Sequence, residues 1–264
     1  MAPTFRPGKG ARFAFNNSDF SVITQTVTAT MTQAALKTTC FQQNDQTYVA
    51  GIGDGTAAFD GVYDASKYPG SSRPLSSTGA LDIKISNALA ASSEPIVTFG
   101  PEGDALGRRT RMWRQETVEY TAQAPISDVL KWSGKGQVSG YFDAGVSLNP
   151  VGTPITSTGA QAAVDSGAAG GTVGGGVGHF HMFAQGTIST FQARIQHSSN
   201  GSAWADLITF SSCQSTTQAG KSVQRTTVAG TVKQQVRLNI PTFTGAGKTA
   251  TIWVAFARRS TRGV

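Results

Sequence analysis

Polar and apolar residues alternate with a period of two along several stretches of the chain. Threonine occupies every second position from Thr24 to Thr32, and the positions between include Val27, Ala29 and Met31. β-Branched residues with this period are typical of a strand that buries one face. We therefore expect a half-buried strand in this region.

The same alternation predicts further strands, which are separated by glycine-containing turns. They lie at about 56–63, 96–99, 112–121, 130–142, 191–196, 232–240 and 252–256. Asn200-Gly201 is a strong signal for a hairpin turn between two of them. Several short strands at this spacing predict an all-β chain, with a β-sandwich of jelly-roll or Ig-like type in its C-terminal part.

One segment, at about 77–91, is compatible with two kinds of secondary structure. Leu81, Ile83 and Ile85 alternate with polar residues as in a strand, whereas Leu81, Ile85, Ala88 and Leu89 form a stripe with helical spacing. The pattern alone leaves helix and strand open.

Glycine and proline positions divide the chain into four predicted parts. Residues 1–20 read as an extended N-terminal arm, because proline and glycine recur between Pro3 and Gly10. Residues 21–148 form a β domain, residues 149–178 a Gly/Ala-rich linker, and residues 179–264 a C-terminal β-sandwich domain.

Composition supports the β prediction and restricts the chemistry. Hydrophobic residues make up 39% of the chain and charged residues only 14%, so surface polarity has to come from Thr, Ser, Gln and Gly. The formal net charge is +7 and the pI is about 9.6. This basic balance permits an anionic partner, but solubility and pairing between subunits explain it better than a dedicated nucleic-acid groove.

Candidate catalytic and metal sites are weak. Cys40 and Cys213 are far apart, which predicts free thiols. His179 and His181 would share one face of a strand, where packing is a better explanation than a metal site. With no nucleophile elbow and no phosphate loop in the sequence, we expect no enzymatic activity, no metal and no cofactor. We also expect no signal peptide and no membrane-spanning segment.

Two aromatic or basic features are candidates for contacts with other molecules. Arginines cluster around Trp113, at positions 108, 109, 111 and 114, and fit an intermolecular interface better than a DNA contact. Trp204 follows the Asn-Gly turn, where a packed ring is more common than a glycan platform.

The segment Leu36–Asp64 resembles the tail tube proteins of long-tailed, siphophage-type bacteriophages. The resemblance rests on a Thr-Thr-x-Phe step, a Tyr-x-Ala-Gly step, an Asp-Gly turn and a strand that ends in an aromatic residue and Asp: Thr38, Thr39, Phe41, Tyr48, Ala50, Gly51, Asp54, Gly55, Phe59 and Asp64. Downstream, the Pro-x-Gly-Asp-x-x-Gly turn at Pro101–Gly107 and the Pro-x-x-Asp-Val step at Pro125–Val129 are similar to the second half of that family.

The resemblance implies a tail-tube-like β-barrel or split sandwich with one short helix, and it favours the helix at about 77–91. It also implies that subunits join their sheets into a six-fold ring and that rings stack into a tube through loops and arms. DNA would pass through the lumen at ejection. The implied location is the virion tail, assembled in the bacterial host cytoplasm. The implied partners are further copies of the chain and the tape measure, tail terminator and distal tail proteins.

Under this hypothesis seven residues are expected to make contacts between subunits or rings: Phe5, Arg6, Phe13 and Phe15 in the arm, Tyr48 in a loop, and Arg109 and Arg111 in a turn. Two alternatives remain: a head decoration or capsid-associated protein, and a carbohydrate-binding module. The second alternative rests on Phe191–Leu207, which resembles galactose-binding, discoidin-like jelly rolls, with Trp204 as the glycan contact.

Overall fold

The computed structural model describes residues 8–37, 48–62, 81–89, 94–123, 129–166, 174–214 and 221–259. These residues are almost entirely β-structure, which confirms the predicted all-β class. A short 3-10 helix covers Gly8–Gly10, and one α-helix, α1, covers Leu81–Leu89. The segment that the pattern left open is therefore helical.

The strands are β1 (Arg12–Phe15), β2 (Ser18–Asp19), β3 (Thr24–Lys37), β4 (Tyr48–Val62), β5 (Ile96–Gly100), β6 (Arg109–Gln123), β7 (Lys131–Ser147), β8 (Gly159–Ala160), β9 (Val164–Asp165), β10 (Gly176–Gln185), β11 (Thr190–Ser198), β12 (Ala205–Thr209), β13 (Val223–Val228), β14 (Gln235–Thr244) and β15 (Ala250–Arg258).

The chain forms two compact units, and neither is continuous in sequence. The first unit contains Met1–Val22, Ile96–Met112 and Asp143–Val264, and the second contains Ile23–Pro95 and Trp113–Phe142. The boundaries therefore differ from the four consecutive parts that the sequence predicted. They differ because strand pairing joins segments that lie far apart in the chain.

The first unit is a β-sandwich. One of its sheets contains the neighbouring antiparallel strands β13, β10 and β15, and the other has the order β12-β11-β14 with the short strands β8 and β9 beside β14. Side chains of both sheets make up one core cluster, in which Phe180 and Val254 of the first sheet join Ile195, Leu238 and Phe243 of the second. The β11–β12 pair is the hairpin predicted at Asn200-Gly201, and Gly201 has a φ of +74°.

The first unit also includes two regions that the sequence predicted to lie outside any core. The predicted arm supplies β1, which pairs antiparallel with β5. The predicted linker supplies β8 and β9 and the buried residues Val151, Ile155 and Val164. Its high glycine and alanine content concealed these short pairings, which no local periodicity reveals.

The second unit is a smaller sheet covered by α1. Strand β4 lies between β3 and β7, with antiparallel pairing on both sides. Helix α1 buries Ile85 completely. Packing is close, because a Cβ atom on Gly134 would overlap the ring of Phe59 and lie 3.1 Å from Ile85. Trp132 packs against Phe59 with ring centroids 6.0 Å apart.

Strands β6 and β7 contribute residues to both units, and in each strand the parity of the buried residues changes along the sequence. Strand β6 buries the even-numbered residues Thr110 and Met112, and then the odd-numbered residues from Trp113 to Thr117. Strand β7 buries even-numbered residues from Trp132 to Val138, and then Asp143 and Ser147.

In β7 the change of parity falls between Val138 and Asp143, and Gly140 within this stretch has a φ of +85°. An L-residue in this left-handed region costs roughly 1–2 kcal/mol. A Cβ atom at this position would meet nothing within 4 Å, so backbone strain is the only expected cost of a side chain.

We expect Gly140→Ala to lower the free energy of unfolding by about 1 kcal/mol in urea titrations. Gly152→Ala is the matched control, since its Cβ would also meet nothing within 4 Å and its φ lies outside the left-handed region. Equal stability of the two variants would contradict the role assigned to Gly140.

Candidate assembly surfaces

The β3–β4 hairpin presents a long strand edge. Strand β3 has 14 residues and pairs with β4, and no strand of the described residues lies on its other side. Between the register shifts at its two ends, the ladder runs without interruption from Thr26 to Thr32. We call the side of Thr26–Thr32 that faces away from β4 the β3 edge.

Strand β3 is exposed on both faces, so the expectation that it is half-buried was wrong. Val27 is half-buried, but Thr28 to Ala35 are all exposed, including Met31 at 41%. The apolar positions that the pattern assigned to a core have no core within the described residues. An apolar, threonine-rich strand of this kind is suited to pairing with another chain.

Charged residues and prolines, which normally prevent such pairing, are absent from β3 before Lys37, and the register shifts of the β3–β4 ladder lie outside Thr26–Thr32. Charged side chains, prolines and bulges are the usual protection of an exposed edge. The sequence of β3 therefore favours association at this edge.

The predicted arginine cluster divides into paired and exposed members. Arg108 lies 4.0 Å from Glu102, and Arg114 lies 3.0 Å from Glu94. Arg109 and Arg111 are exposed on β6, and within the described ranges they have no ion pair. Both line a cleft of about 670 Å³ that belongs wholly to the first unit. We call it the β6 cleft.

Phe13 and Phe15 are not available for contacts with another subunit. They are 2% and 0% exposed in β1, and Phe20 packs edge-on against both rings. This corrects the assignment of these two residues to an arm. The strand escaped sequence analysis because its partner, β5, lies about eighty residues away and the surrounding prolines and glycines suggested an extended segment.

The remaining predicted contact residues of the N-terminal half are less fully described. Phe5 and Arg6 lie outside the described residues. Tyr48 is the first residue of β4, at the opposite end of the strand from Val62. Their predicted roles therefore remain predictions.

Trp204 offers a poor stacking surface. The guanidinium carbon of Arg237 lies 4.0 Å from the ring centroid, and the indole Nε1–H donates to the carbonyl of Gly201 at 3.0 Å. With one face covered and the residue half-buried, the ring is part of a cation–π contact within its own unit.

His179 and His181 lie on the same face of β10, as predicted, and both are fully buried. His181 Nδ1–H donates to the carbonyl of Asn16 at 2.6 Å, so its Nε2 accepts from the Thr98 hydroxyl at 2.8 Å. The oxygen of Thr98 in turn accepts from His179 Nδ1–H at 3.1 Å. These hydrogen bonds hold both imidazoles in place, so the two histidines have a structural role.

Burial lowers the pKa of His181 to about 4, although its hydrogen bond with the Asn16 carbonyl acts in the opposite direction. Asn16 itself is held in the left-handed region, with a φ of 51°, and its side chain accepts from the amide of Ile96. Sequence analysis missed Asn16 and Thr98, although the Asn16-Asn17 pair is a turn signal that could have indicated the β1–β2 hairpin.

The other candidate chemical groups are inert or dispersed. Cys213 is a free, buried thiol, and burial raises its pKa to about 11. No group of three metal-ligating side chains occurs in the described part of the chain. Of the helices described, none is long and apolar enough to cross a membrane.

Comparison with known proteins gave no family, whereas fifteen chains of solved structures match, among them three that are weakly similar to the present chain. No family model and no curated protein matches the chain. A chain of the virion of a native gene transfer agent particle is 7% identical, with 53% of this chain and 98% of that chain covered and a TM-score of 0.40.

A chain from the tail of an empty gene transfer agent particle is 7% identical to the present chain and has a TM-score of 0.34. The match covers 45% of the present chain and 79% of the gene transfer agent chain. The SPP1 Dit (gp 19.1) protein, described as a paradigm of the hub adsorption apparatus in phages that infect Gram-positive bacteria, is 9% identical, with coverages of 94% and 99% and a TM-score of 0.34. TM-scores this low carry no argument about the fold or function of the present chain.

The buried His181 predicts a specific dependence of stability on pH. Its pKa is lower in the folded chain than the ordinary value of 6.5, so the unfolded chain binds more protons between about pH 6.5 and pH 4. The contribution of His181 to the free energy of unfolding is therefore fully present above about pH 6.5 and is lost as the pH falls. We expect this residue to remove about 2 kcal/mol of the free energy of unfolding between pH 7 and pH 5.

Urea titrations at the two pH values test this expectation. His181→Gln keeps hydrogen-bonding capacity without titrating, so this variant should lose about 2 kcal/mol less than the parent on acidification. His197→Gln is the control, since His197 is only half-buried and its pKa is lowered less. Identical pH dependence in the parent and in His181→Gln would contradict the assignment.

Proposed function

We propose that the chain is a structural subunit of a bacteriophage tail, and specifically of the tail tube. In this proposal copies associate into six-fold rings, the rings stack into a tube, and DNA passes through the lumen at ejection. The chain acts in the virion, next to tape measure, tail terminator and distal tail proteins. Its mechanism is assembly and not catalysis.

The observation that carries the proposal is the β3 edge. A seven-residue antiparallel pairing at this edge would form about six backbone hydrogen bonds, worth roughly 6 kcal/mol at about 1 kcal/mol each. The cost of association reduces this gain. The exposed apolar side chains Ala29 and Met31 would add buried surface if a neighbouring subunit covered them.

A second stretch of strand edge lies on β6. Strand β5 lies beside β6 on the side away from β7, where the Gln115 N–H donates to the carbonyl of Pro95, and beyond that point no strand of the described residues lies beside Glu116–Glu119. A β3 edge of one copy and a β6 edge of the next form a head-to-tail contact, which is repeated from copy to copy. Contacts of this kind close into a ring when the rotation between copies permits it.

The resemblance of Leu36–Asp64 and Val118–Gly140 to siphophage tail tube proteins supports the same proposal. Both segments lie in the second unit, whose described residues form a sheet and one helix, α1, whereas the Pro101–Gly107 turn of the same resemblance lies in the first unit. The carbohydrate-binding alternative loses support, because Arg237 covers the Trp204 ring. A decoration protein remains the alternative, and it would need an existing lattice in order to assemble.

Blocking the β3 edge should prevent assembly without unfolding the chain. We expect Thr28→Lys/Thr30→Lys to remain monomeric at concentrations where the parent sedimentation profile shows rings or longer polymers. The reason is that lysines on an exposed edge oppose strand pairing. Because both threonines are exposed, the free energy of unfolding should change by less than about 0.5 kcal/mol per substitution.

The matched control is Thr209→Lys/Thr227→Lys, which adds the same charge at exposed positions of β12 and β13 in the first unit. This control should assemble like the parent. Assembly of the β3 variant at the parent concentration would rule out the β3 edge as the joint. A parent chain that stays monomeric or trimeric at every concentration, and associates only with empty capsids, would favour the decoration role.

A further inference from the structure

The β6 cleft is a concave, mixed surface on the first unit. Pro101, Val146 and Phe256 supply apolar wall, and Arg109 and Arg111 supply positive charge. A volume of about 670 Å³ is within the range of sites that bind small molecules or short peptide segments.

Of the three arginines in the cleft, two are available to a ligand. Arg258 is committed within its own unit: its guanidinium donates to the Ser166 hydroxyl at 2.7 Å, to the carbonyls of Val232 and Gln234 at 2.8 Å, and to the carbonyl of Lys233. Arg109 and Arg111, in contrast, are exposed, and among the described residues neither has an ion pair.

Arg109 and Arg111 lie on the same side of β6. They are two residues apart in a strand and separated by the buried Thr110, which puts their Cα atoms about 6.7 Å from each other. Guanidinium groups bind carboxylates and phosphates through two parallel N–H···O bonds. The pair is therefore suited to one or two oxyanion groups.

The walls of the cleft favour a carboxylate on a peptide over a nucleic-acid backbone. A phosphate backbone brings a continuous row of negative charge, and Glu102 in the cleft wall would repel it. A peptide segment can combine one carboxylate for the arginines with apolar atoms for Phe256 and Val146. Protein interfaces commonly have this composition, in which arginine and aromatic residues are enriched.

The chain itself carries suitable carboxylates. Glu116 and Glu119 are exposed on β6, and no ion pair involves either of them in the part of the chain that the structure describes. A chain with a net charge of +7 also gains from contacts in which its arginines meet its own acidic groups on another copy.

We propose that the β6 cleft binds a carboxylate-bearing segment of a second copy of the chain, and that this contact fastens one ring to the next. The inference rests on the proposed function, because it assigns the cleft to stacking of the rings that the β3 edge closes. Arg109 and Arg111 are the residues that recognise the carboxylate.

Ring formation and ring stacking can be measured separately by analytical ultracentrifugation of the full chain. Arg109→Gln/Arg111→Gln should form rings at the parent concentration, whereas stacking should require about tenfold more protein. The control Lys135→Gln/Lys221→Gln removes the same charge from two exposed positions and should stack like the parent. Circular dichroism establishes that each variant is folded.

Three results would overturn the proposal about the cleft. The arginine variant could stack at the parent concentration, or it could fail to form rings at all, which would place the contact within the ring. It could also stack normally but bind a fluorescent single-stranded 20-mer oligonucleotide about tenfold more weakly than the lysine control, which would identify DNA as the occupant. A parent chain that forms neither rings nor tubes would instead contradict the proposed function itself.

Discussion

The change in parity of the buried residues along β6 and β7 is a constraint that their sequences have to meet, because no single alternation of polar and apolar residues fits the whole of either strand. Each strand contributes residues to both units, and each buries even-numbered residues in one part and odd-numbered residues in another. In β6 two neighbouring residues, Met112 and Trp113, are both buried at the boundary. In β7 the left-handed Gly140 lies where the parity changes.

Among the described strands, β7 is the one through which the β3–β4 hairpin pairs with the rest of the sheet. The pairing of β4 with β7 covers Thr56–Val62, and the remainder of the hairpin extends beyond that ladder. Strand β3 therefore has only β4 beside it among the described strands. Backbone groups at this edge can form strand-pairing hydrogen bonds only with another chain. Association would therefore complete the sheet at the hairpin.

Elements with strong local periodicity could be predicted from the sequence. The threonine alternation located β3, and Asn200-Gly201 located the β11–β12 hairpin, because both signals depend on neighbouring residues. Helix α1 could not be separated from a strand, since Leu81 and Ile85 satisfy both periods. The resemblance to tail tube proteins favoured the helix, and the structure has it.

Features that depend on distant pairing could not be predicted. Phe13 and Phe15 were assigned to an arm because their partner strand, β5, is remote in sequence and nothing local indicates it. The same is true of Val151, Ile155 and Val164, which lie in a segment whose composition suggested a linker. For the candidate assembly surfaces, Arg109 and Arg111 were selected from the arginine cluster as contact residues, and that role stays a prediction. The partners of Arg108 and Arg114, which are Glu102 and Glu94, are set by the fold and could not be predicted from the sequence.

The most direct test of the account is electron cryomicroscopy of the purified chain at increasing concentration. The account predicts closed rings and stacked tubes in which a strand of the neighbouring subunit lies against Thr26–Thr32. Discrete monomers at every concentration, or rings in which that edge of β3 stays uncovered, would contradict it.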